Sequence, residues 1–259
     1  MKKTVFISGG TSGINLGIAR GFAAQGAKVL VFGRDGGKAQ VAAAQLQEET
    51  GAQVIAGSAD VRDYAAVEAL FASAVETIGA PDVVIAGAAG NFMAPAVGIS
   101  ANGFKTVVDI DLLGTYNVFK AGFAVATKPG ASFIAITAPQ AVQPLPMQVH
   151  VCAAKAGVNM VIKVLAMEWG PAGVRVNGIS PGPIAGTEGV ERMAPTDEHK
   201  ANWADGIALR RLGTTSDIAE AAIFLSSENA GYITGTILDC DGGMKLGNAS
   251  GNYLTPAQR

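Results

Sequence analysis

The chain has 259 residues, 49% of them hydrophobic and only 15% charged, with a formal net charge of −2. Such a chain can bury a large core, and it lacks both the polar bias of disorder and the basic footprint of a nucleic-acid binder. The 34 glycines are almost twice the usual share of about 7%, without the triplet period of collagen. Short β-branched runs then alternate with longer, alanine-rich amphipathic stretches. Thr4 to Ser8 reads as a strand and Asn15 to Gln25 as a helix stopped by Gly26. A strand at Lys28 to Phe32 precedes a helix from about Gly37 to Thr50, with Gly51 as its C-cap. Strands at Gln53 to Ala59 and Asp82 to Ala86 flank a helix from Tyr64 to Ile78. One long helix is predicted from Ala101 to Ala126, then a strand at Ala131 to Ile136, a helix at Met147 to Trp169 and a strand at Val174 to Ile179. A helix at Thr215 to Ser226 and a strand at Thr236 to Asp239 close the pattern.

Strands such as Val83-Val84-Ile85 are apolar on both faces, as buried parallel strands must be. The alternation predicts a single α/β domain, a doubly wound Rossmann fold with about seven parallel strands and helices on both faces. Pro181 to about Gly206 is too long and too rich in Pro, Gly and charge for a tight connection, and reads as a lid or substrate loop. Cys152 and Cys240 form neither a disulfide framework nor a CxxC metal site, which suits a reducing compartment. No metal is expected, since His150 and Cys152 have no further ligand cluster beside them. After Met1-Lys2-Lys3 the apolar stretch ends at Ser8-Gly9-Gly10, too soon for a signal peptide. No apolar run approaches the roughly 18 residues of a membrane span, and Pro256-Ala257-Gln258-Arg259 is not a Ser-Lys-Leu peroxisomal address. The expectation is a soluble cytoplasmic protein with neither nucleic acid nor membrane as partner.

Between the first strand and the first helix lies Ser8-Gly9-Gly10-Thr11-Ser12-Gly13-Ile14-Asn15-Leu16-Gly17. Glycines there let the backbone approach a pyrophosphate, and a helix N-terminus supplies N–H donors and positive dipole. The second strand ends in Gly33-Arg34. An acid at that point would hold the ribose of NAD, whereas arginine favours the 2′-phosphate of NADP. Asp35 would oppose that phosphate if it pointed inward.

The loop resembles the Gly-x3-Gly-x-Gly loop of short-chain dehydrogenases/reductases, with Asn15 in place of the third glycine. The resemblance extends to Asp60-Val61, Lys155, Asn177, Pro181-Gly182 and Asp241-Gly242-Gly243. It implies NADP(H) held by Gly9, Thr11, Ser12, Gly13, Ile14, Asn15, Arg34, Asp60, Val61, Gly90, Lys155, Pro181, Gly182, Ile184 and Thr187. The family's tyrosine, serine and helix asparagine positions hold Val151, Ala138 and Asp111, and its Asn-Asn-Ala-Gly motif reads Ala86-Gly87-Ala88-Ala89-Gly90. Carbonyl reduction by a tyrosine acid is therefore not expected. Tyr116 is a poor substitute, because it lies about 140° around the helix from Asp111 at 100° per residue.

Several segments resemble the peroxisomal-type 2,4-dienoyl-CoA reductases, which also lack that tyrosine and serine. They include Ala88 to Phe92, Phe104 to Asp111, Gln148-Val149-His150, Glu168 to Pro171 and Pro181 to Gly189. This resemblance implies an NADPH-dependent reductase of a dienoyl or enoyl thioester, with an acyl-CoA as substrate. Asp111, Lys155 and Asp241 would be catalytic, and Arg62, Phe92, Ser100, Asn102 and Arg192 would line the substrate side. For Asp241 a plain turn role, and for Arg62 and Arg192 a solvated-charge role, stand as alternatives. A tyrosine-free reductase of another electrophile and a silent NADP-binding protein are the competing functions. The two long helices are apolar around much of their circumference, so they need a partner beyond their own sheet, and the resemblance implies that they form a four-helix dimer interface within a homo-oligomer, a two-fold symmetric tetramer.

Overall fold

Val5 and Ile7 turn to one face of the first strand and Phe6 to the other, and all three are fully buried. A strand buried on both faces needs helices above and below. The computed structural model, which describes residues 3–251, supplies them. Met1, Lys2 and residues 252–259, including Pro256 to Arg259, lie outside the described residues.

Seven strands form one sheet: β1 (Thr4–Ser8), β2 (Lys28–Gly33), β3 (Val54–Ser58), β4 (Val83–Ala86), β5 (Ser132–Ile136), β6 (Arg175–Pro181) and β7 (Ile237–Cys240). Every pairing is parallel, in the order β3-β2-β1-β4-β5-β6-β7. Nine helices accompany them among the described residues: α1 (Gly13–Ala24), α2 (Gly36–Thr50), α3 (Tyr64–Ile78), α4 (Ala101–Val108), α5 (Gly114–Val125), α6 (Val149–Trp169), α7 (Glu188–Met193), α8 (Asp197–Gly206) and α9 (Thr215–Ser226). One core joins α1, α2 and α9 to Val5, Ile7, Val29 and Val31. The other joins α3, α5 and α6 to Phe6, Leu30, Phe32 and Phe133. This is the single-domain Rossmann architecture that the βα alternation predicts.

Four local departures matter. The helix expected from Ala101 to Ala126 is broken by a π-turn at Asp109–Leu113, which places Asp111 at the widened turn. Such turns recur at functional sites, and hydrophobic period does not reveal them. Helix α6 starts two residues late, because Met147 has a left-handed φ of 68°. The segment expected as a loop from Pro181 to Gly206 contains α7 and α8. Finally, Val149–Ala172 is long and apolar enough to cross a membrane, which a search for unbroken apolar runs misses. In this fold that helix is apolar because α6 packs against the sheet and the π-turn, with Val158 and Ile162 fully buried.

Helix α9 begins with a capping box, in which Thr214 accepts from the Asp217 N–H and Asp217 accepts from the Thr214 N–H. The Arg211 guanidinium beside Asp217 holds its carboxyl far below the usual carboxylate range. A depressed folded value means that the stabilisation is complete above the unfolded value of about 3.9, and is lost as pH falls through the folded one. Asp217→Ala is expected to cost about 1 kcal/mol, or about 2–4 °C in Tm, near pH 7. The difference from the unmutated protein should shrink in acid, and thermal melts across pH check it.

Candidate active site

Strand order reverses at β1, whose neighbours are β2 and β4. Ligands bind outside the carboxyl ends of strands at such a point. The register Ser8↔Ala86 sets the glycine loop after β1 directly beside the segment after β4. Between them opens a cleft of about 880 Å³, walled further by the ends of β2 and β3. Gly9 and Gly13 adopt left-handed φ values of 68° and 54°, which bend the loop so that α1 starts at Gly13. Ser12 makes no side-chain capping bond, so the first N–H groups of α1 are left for a ligand. Thr11, Ser12 and Asn15 line the cleft, and Thr187 lies within 3.9 Å of a Cβ position at Gly13. The Ile184–Thr187 turn thereby overhangs the loop, held by a Thr187 hydroxyl bond of 2.7 Å to the Ile184 carbonyl. A phosphate-bearing dinucleotide fits this donor set.

At the β2 end, Asp35 does not oppose an incoming phosphate. Its carboxylate caps α2, accepting from the Lys38 N–H at 3.0 Å. Arg34 and Lys38 both line the cleft, their side chains exposed. Lys38 was not legible as a site residue, although a lysine four positions after Arg34 on a starting helix is a findable signal. Asp60 and Val61 line the same cleft as expected. Arg62, expected on the substrate side, instead holds Asp60, with Nε 3.0 Å from Oδ1. That hydrogen-bonded guanidinium lowers the Asp60 carboxyl below its usual range.

Deeper in, Asp111 and Lys155 come together. Asp111 Oδ1 accepts from the Gly90 N–H at 2.7 Å. Its Oδ2 lies 3.2 Å from Lys155 Nζ, within ion-pair range but at an angle that makes no hydrogen bond. Lys155 donates to the Ile136 carbonyl at 3.0 Å. The Asp111 side chain is 1% exposed and that of Lys155 7%. One turn before Lys155 stands Val151, buried against Val107 and Ala154, and Ala138 leads into a short turn after β5. No hydroxyl stands at either position. The preceding residue, His150, is fully buried with neither ring nitrogen hydrogen-bonded among the described residues. Its ring packs 4.2 Å from that of Phe92, and burial pushes its imidazole down from the ordinary value.

The other expected residues divide. Pro181 ends β6 beside β7 and Gly182 follows it, with Gly182 N–H bonded to the Cys240 carbonyl at 3.0 Å. Asp241 is a turn residue: Oδ1 accepts from Gly243 N–H at 2.8 Å and Oδ2 from Lys245 N–H at 2.9 Å. Each oxygen thus accepts one backbone N–H at the start of the short helix at Met244–Leu246, which shows Asp241 in its turn role. Ser100 caps α4 through Gly103 N–H, and Asn102 is exposed. Arg192 spans from α7 to the Asn91 carbonyl at 3.1 Å and pairs with Glu188. A separate apolar pocket of about 270 Å³, lined by Leu145, Pro181, Met193, Trp203 and Met244, was not foreseen. Its walls come from α7, α8 and three other segments, around Pro139 to Leu145, Pro181 to Pro183 and Met244, so no single stretch of sequence advertises it.

A glycine loop at the switch point and a buried lysine on α6 define a nucleotide-dependent oxidoreductase, and the chain belongs to the short-chain dehydrogenase/reductase family. A family model described as enoyl-(acyl carrier protein) reductase matches residues 9–245. The chain is 41% identical to the (3E)-enoyl-CoA-producing peroxisomal 2,4-dienoyl-CoA reductase of Saccharomyces cerevisiae, over 98% of this chain and 88% of that one. It is 38% identical to the corresponding Danio rerio enzyme, over 96% of this chain and 83% of that one. Among solved structures, an NADPH-bound short-chain oxidoreductase from Pseudomonas aeruginosa containing an atypical catalytic center superposes with a TM-score of 0.87. The two are 28% identical, and the match covers 93% of this chain and 96% of that one.

Proposed function

We propose that this protein reduces a conjugated 2,4-dienoyl thioester, an acyl-CoA, to an enoyl thioester with NADPH. The observation that carries this reading is the buried Asp111–Lys155 pair standing beside Val151, a carboxylate and an ammonium where no phenol can protonate a carbonyl oxygen. The reduced nicotinamide, when bound, supplies hydride to the δ-carbon of the diene. Charge then spreads over the conjugated system to the thioester oxygen, and the α-carbon takes a proton. Lys155 would hold the ribose of the bound dinucleotide, and its charge would offset the developing negative charge. Asp111, through its unbonded Oδ2, delivers or relays the proton to the α-carbon. The apolar pocket between Leu145 and Trp203 takes the acyl chain and keeps water from it. NADPH oxidation with 2,4-hexadienoyl-CoA, with a quinone and with no substrate tests the reading. Turnover of the quinone alone would favour reduction of another electrophile, and turnover of nothing would favour a silent binding protein.

Cofactor choice rests on Arg34 and Lys38, two cations at the cleft, with Asp35 turned into its cap. A charge-assisted bond to a 2′-phosphate contributes roughly 1.5–3 kcal/mol. NADPH is expected to bind at least tenfold tighter than NADH, by about the 1.4 kcal/mol that a factor of ten represents. Arg34→Ala should shrink the gap and Lys38→Ala should shrink it further. Equal affinities for the two dinucleotides by calorimetry would defeat the assignment.

We also propose a homotetramer. The outer faces of α5 and α6 form a groove of about 580 Å³ lined by Tyr116, Phe123, Met160, Val164 and Trp169. Met160 is 58% and Met167 79% exposed, an apolar stripe that a two-fold partner would cover. Light scattering at micromolar concentration should give four times the chain mass, and a monomer mass would refute it.

A further inference from the structure

The third position of the glycine loop holds Asn15, and a side chain there should crowd the cleft. It does not, because the chain has made room elsewhere. The Asn15 amide lies against Gly87, 72 residues away, with Nδ2 donating to the Gly87 carbonyl at 2.8 Å. A Cβ built on Gly87 would fall 2.1 Å from Asn15 Oδ1, 2.4 Å from Cγ and 2.5 Å from Nδ2. Those are the three nearest heavy atoms to that position. The missing side chain at 87 and the added one at 15 therefore occupy the same space. Asn15 Oδ1 is buried with no partner, so the amide is held by shape and by one hydrogen bond. An orphaned buried acceptor is destabilising, which argues that something other than local stability keeps it.

The segment that Asn15 holds runs to the catalytic pair. Ser8 Oγ accepts from the Gly87 N–H at 3.0 Å and from the Ala88 N–H at 3.3 Å. Three residues further, the Gly90 N–H donates to Asp111 Oδ1. Gly9, whose φ of 68° turns the phosphate loop, has the backbone of Ala88 at 3.0 Å and Asn15 Nδ2 at 3.2 Å from its Cβ position. Residues 87–90 are thus clamped at one end by Asn15 and at the other by Asp111, and Gly87, Ala88 and Ala89 form one wall of the cofactor cleft.

We infer that Asn15 and Gly87 are a matched pair that positions the phosphate loop against the 87–90 segment, so that dinucleotide affinity depends on the combination rather than on either residue. The inference rests on reading the cleft as a dinucleotide site, and not on the identity of the acyl substrate. In the unmutated protein, NADPH binding tests that reading first.

The pair is tested by a cycle of Asn15→Gly, Gly87→Ala and the double substitution, scored by NADPH dissociation constant at 25 °C and by thermal melting. Gly87→Ala must displace the Asn15 amide and should weaken NADPH binding at least tenfold. Asn15→Gly should weaken it about three- to tenfold. The double variant has space for the new methyl and should return to within about threefold of the unmutated affinity. Asn15→Ala serves if a glycine at 15 prevents folding, and it predicts the same relief of Gly87→Ala. Losses that simply multiply in the double variant would overturn the inference. So would single variants that melt lower yet bind NADPH with unchanged affinity, since that is what a purely structural contact does.

Discussion

Asp111→Ala is expected to lower kcat on 2,4-hexadienoyl-CoA by about 10²- to 10⁴-fold, the range of a general acid–base contribution, or about 2.7–5.5 kcal/mol. NADPH affinity should stay within a few-fold, because Asp111 meets Gly90 and Lys155 and is not among the residues lining the cleft. Asp111→Asn is the informative companion. It keeps the acceptor for the Gly90 N–H and the local shape, and it removes the ionisable carboxylate beside Lys155. Both variants should be slow, with the asparagine form the better folded of the two. Near-normal turnover in both would place the proton source elsewhere, with a water the next suspect. Asp241 is a weak alternative, since both its oxygens already bind backbone N–H groups.

Lys155→Ala should be more damaging and in a different pattern, with kcat, NADPH affinity and stability all falling. The lysine is the counter-charge to a carboxylate that is 1% exposed. Breaking a buried pair by removing one partner typically costs about 3–5 kcal/mol, which for a chain of this size is roughly 6–20 °C in Tm. Removing both partners should cost less than the sum, because no unpaired charge is then left in the interior. A double variant that melts near the Lys155→Ala variant or above it, with NADPH affinity still lost, would separate the two roles of Lys155. Equal melting of Lys155→Ala and the unmutated protein would show that the pair does not govern stability.

Much of the scaffold is legible in the residues themselves. Val83-Val84-Ile85 reads as a strand buried on both faces, and β4 is buried throughout. Thr4–Ser8 and Tyr64–Ile78 match their sequence bounds, since strand alternation and helix period are short-range signals. The glycine loop and Arg34 are legible from their places at the ends of the first two strands, and Asp60, Asp111 and Lys155 through the resemblance to the short-chain dehydrogenase/reductase family. What escapes is whatever two distant segments decide together. Lys38 becomes a cleft residue only once Asp35 is spent on capping α2. Asp241 sits in a motif that suggests chemistry, and its backbone bonds make it a turn residue.

The amino-acid sequence by itself therefore determined the fold class, the succession of the seven strands along the chain, the place of the phosphate loop and, through the family resemblance, the valine at the usual tyrosine position, Val151. Periodicity, glycine and the capping residues act over a few positions, and the chain carries them in plain order. The tertiary structure alone decided that Asp111 rises on a π-turn to meet Lys155, that Arg62 is tied to Asp60, and that Asn15 fills the space left by Gly87. Those contacts depend on how β1 and β4 lie side by side and how the helices cross above them. Sheet order brings such groups together through crossovers tens of residues long, and no local pattern encodes where a crossover returns.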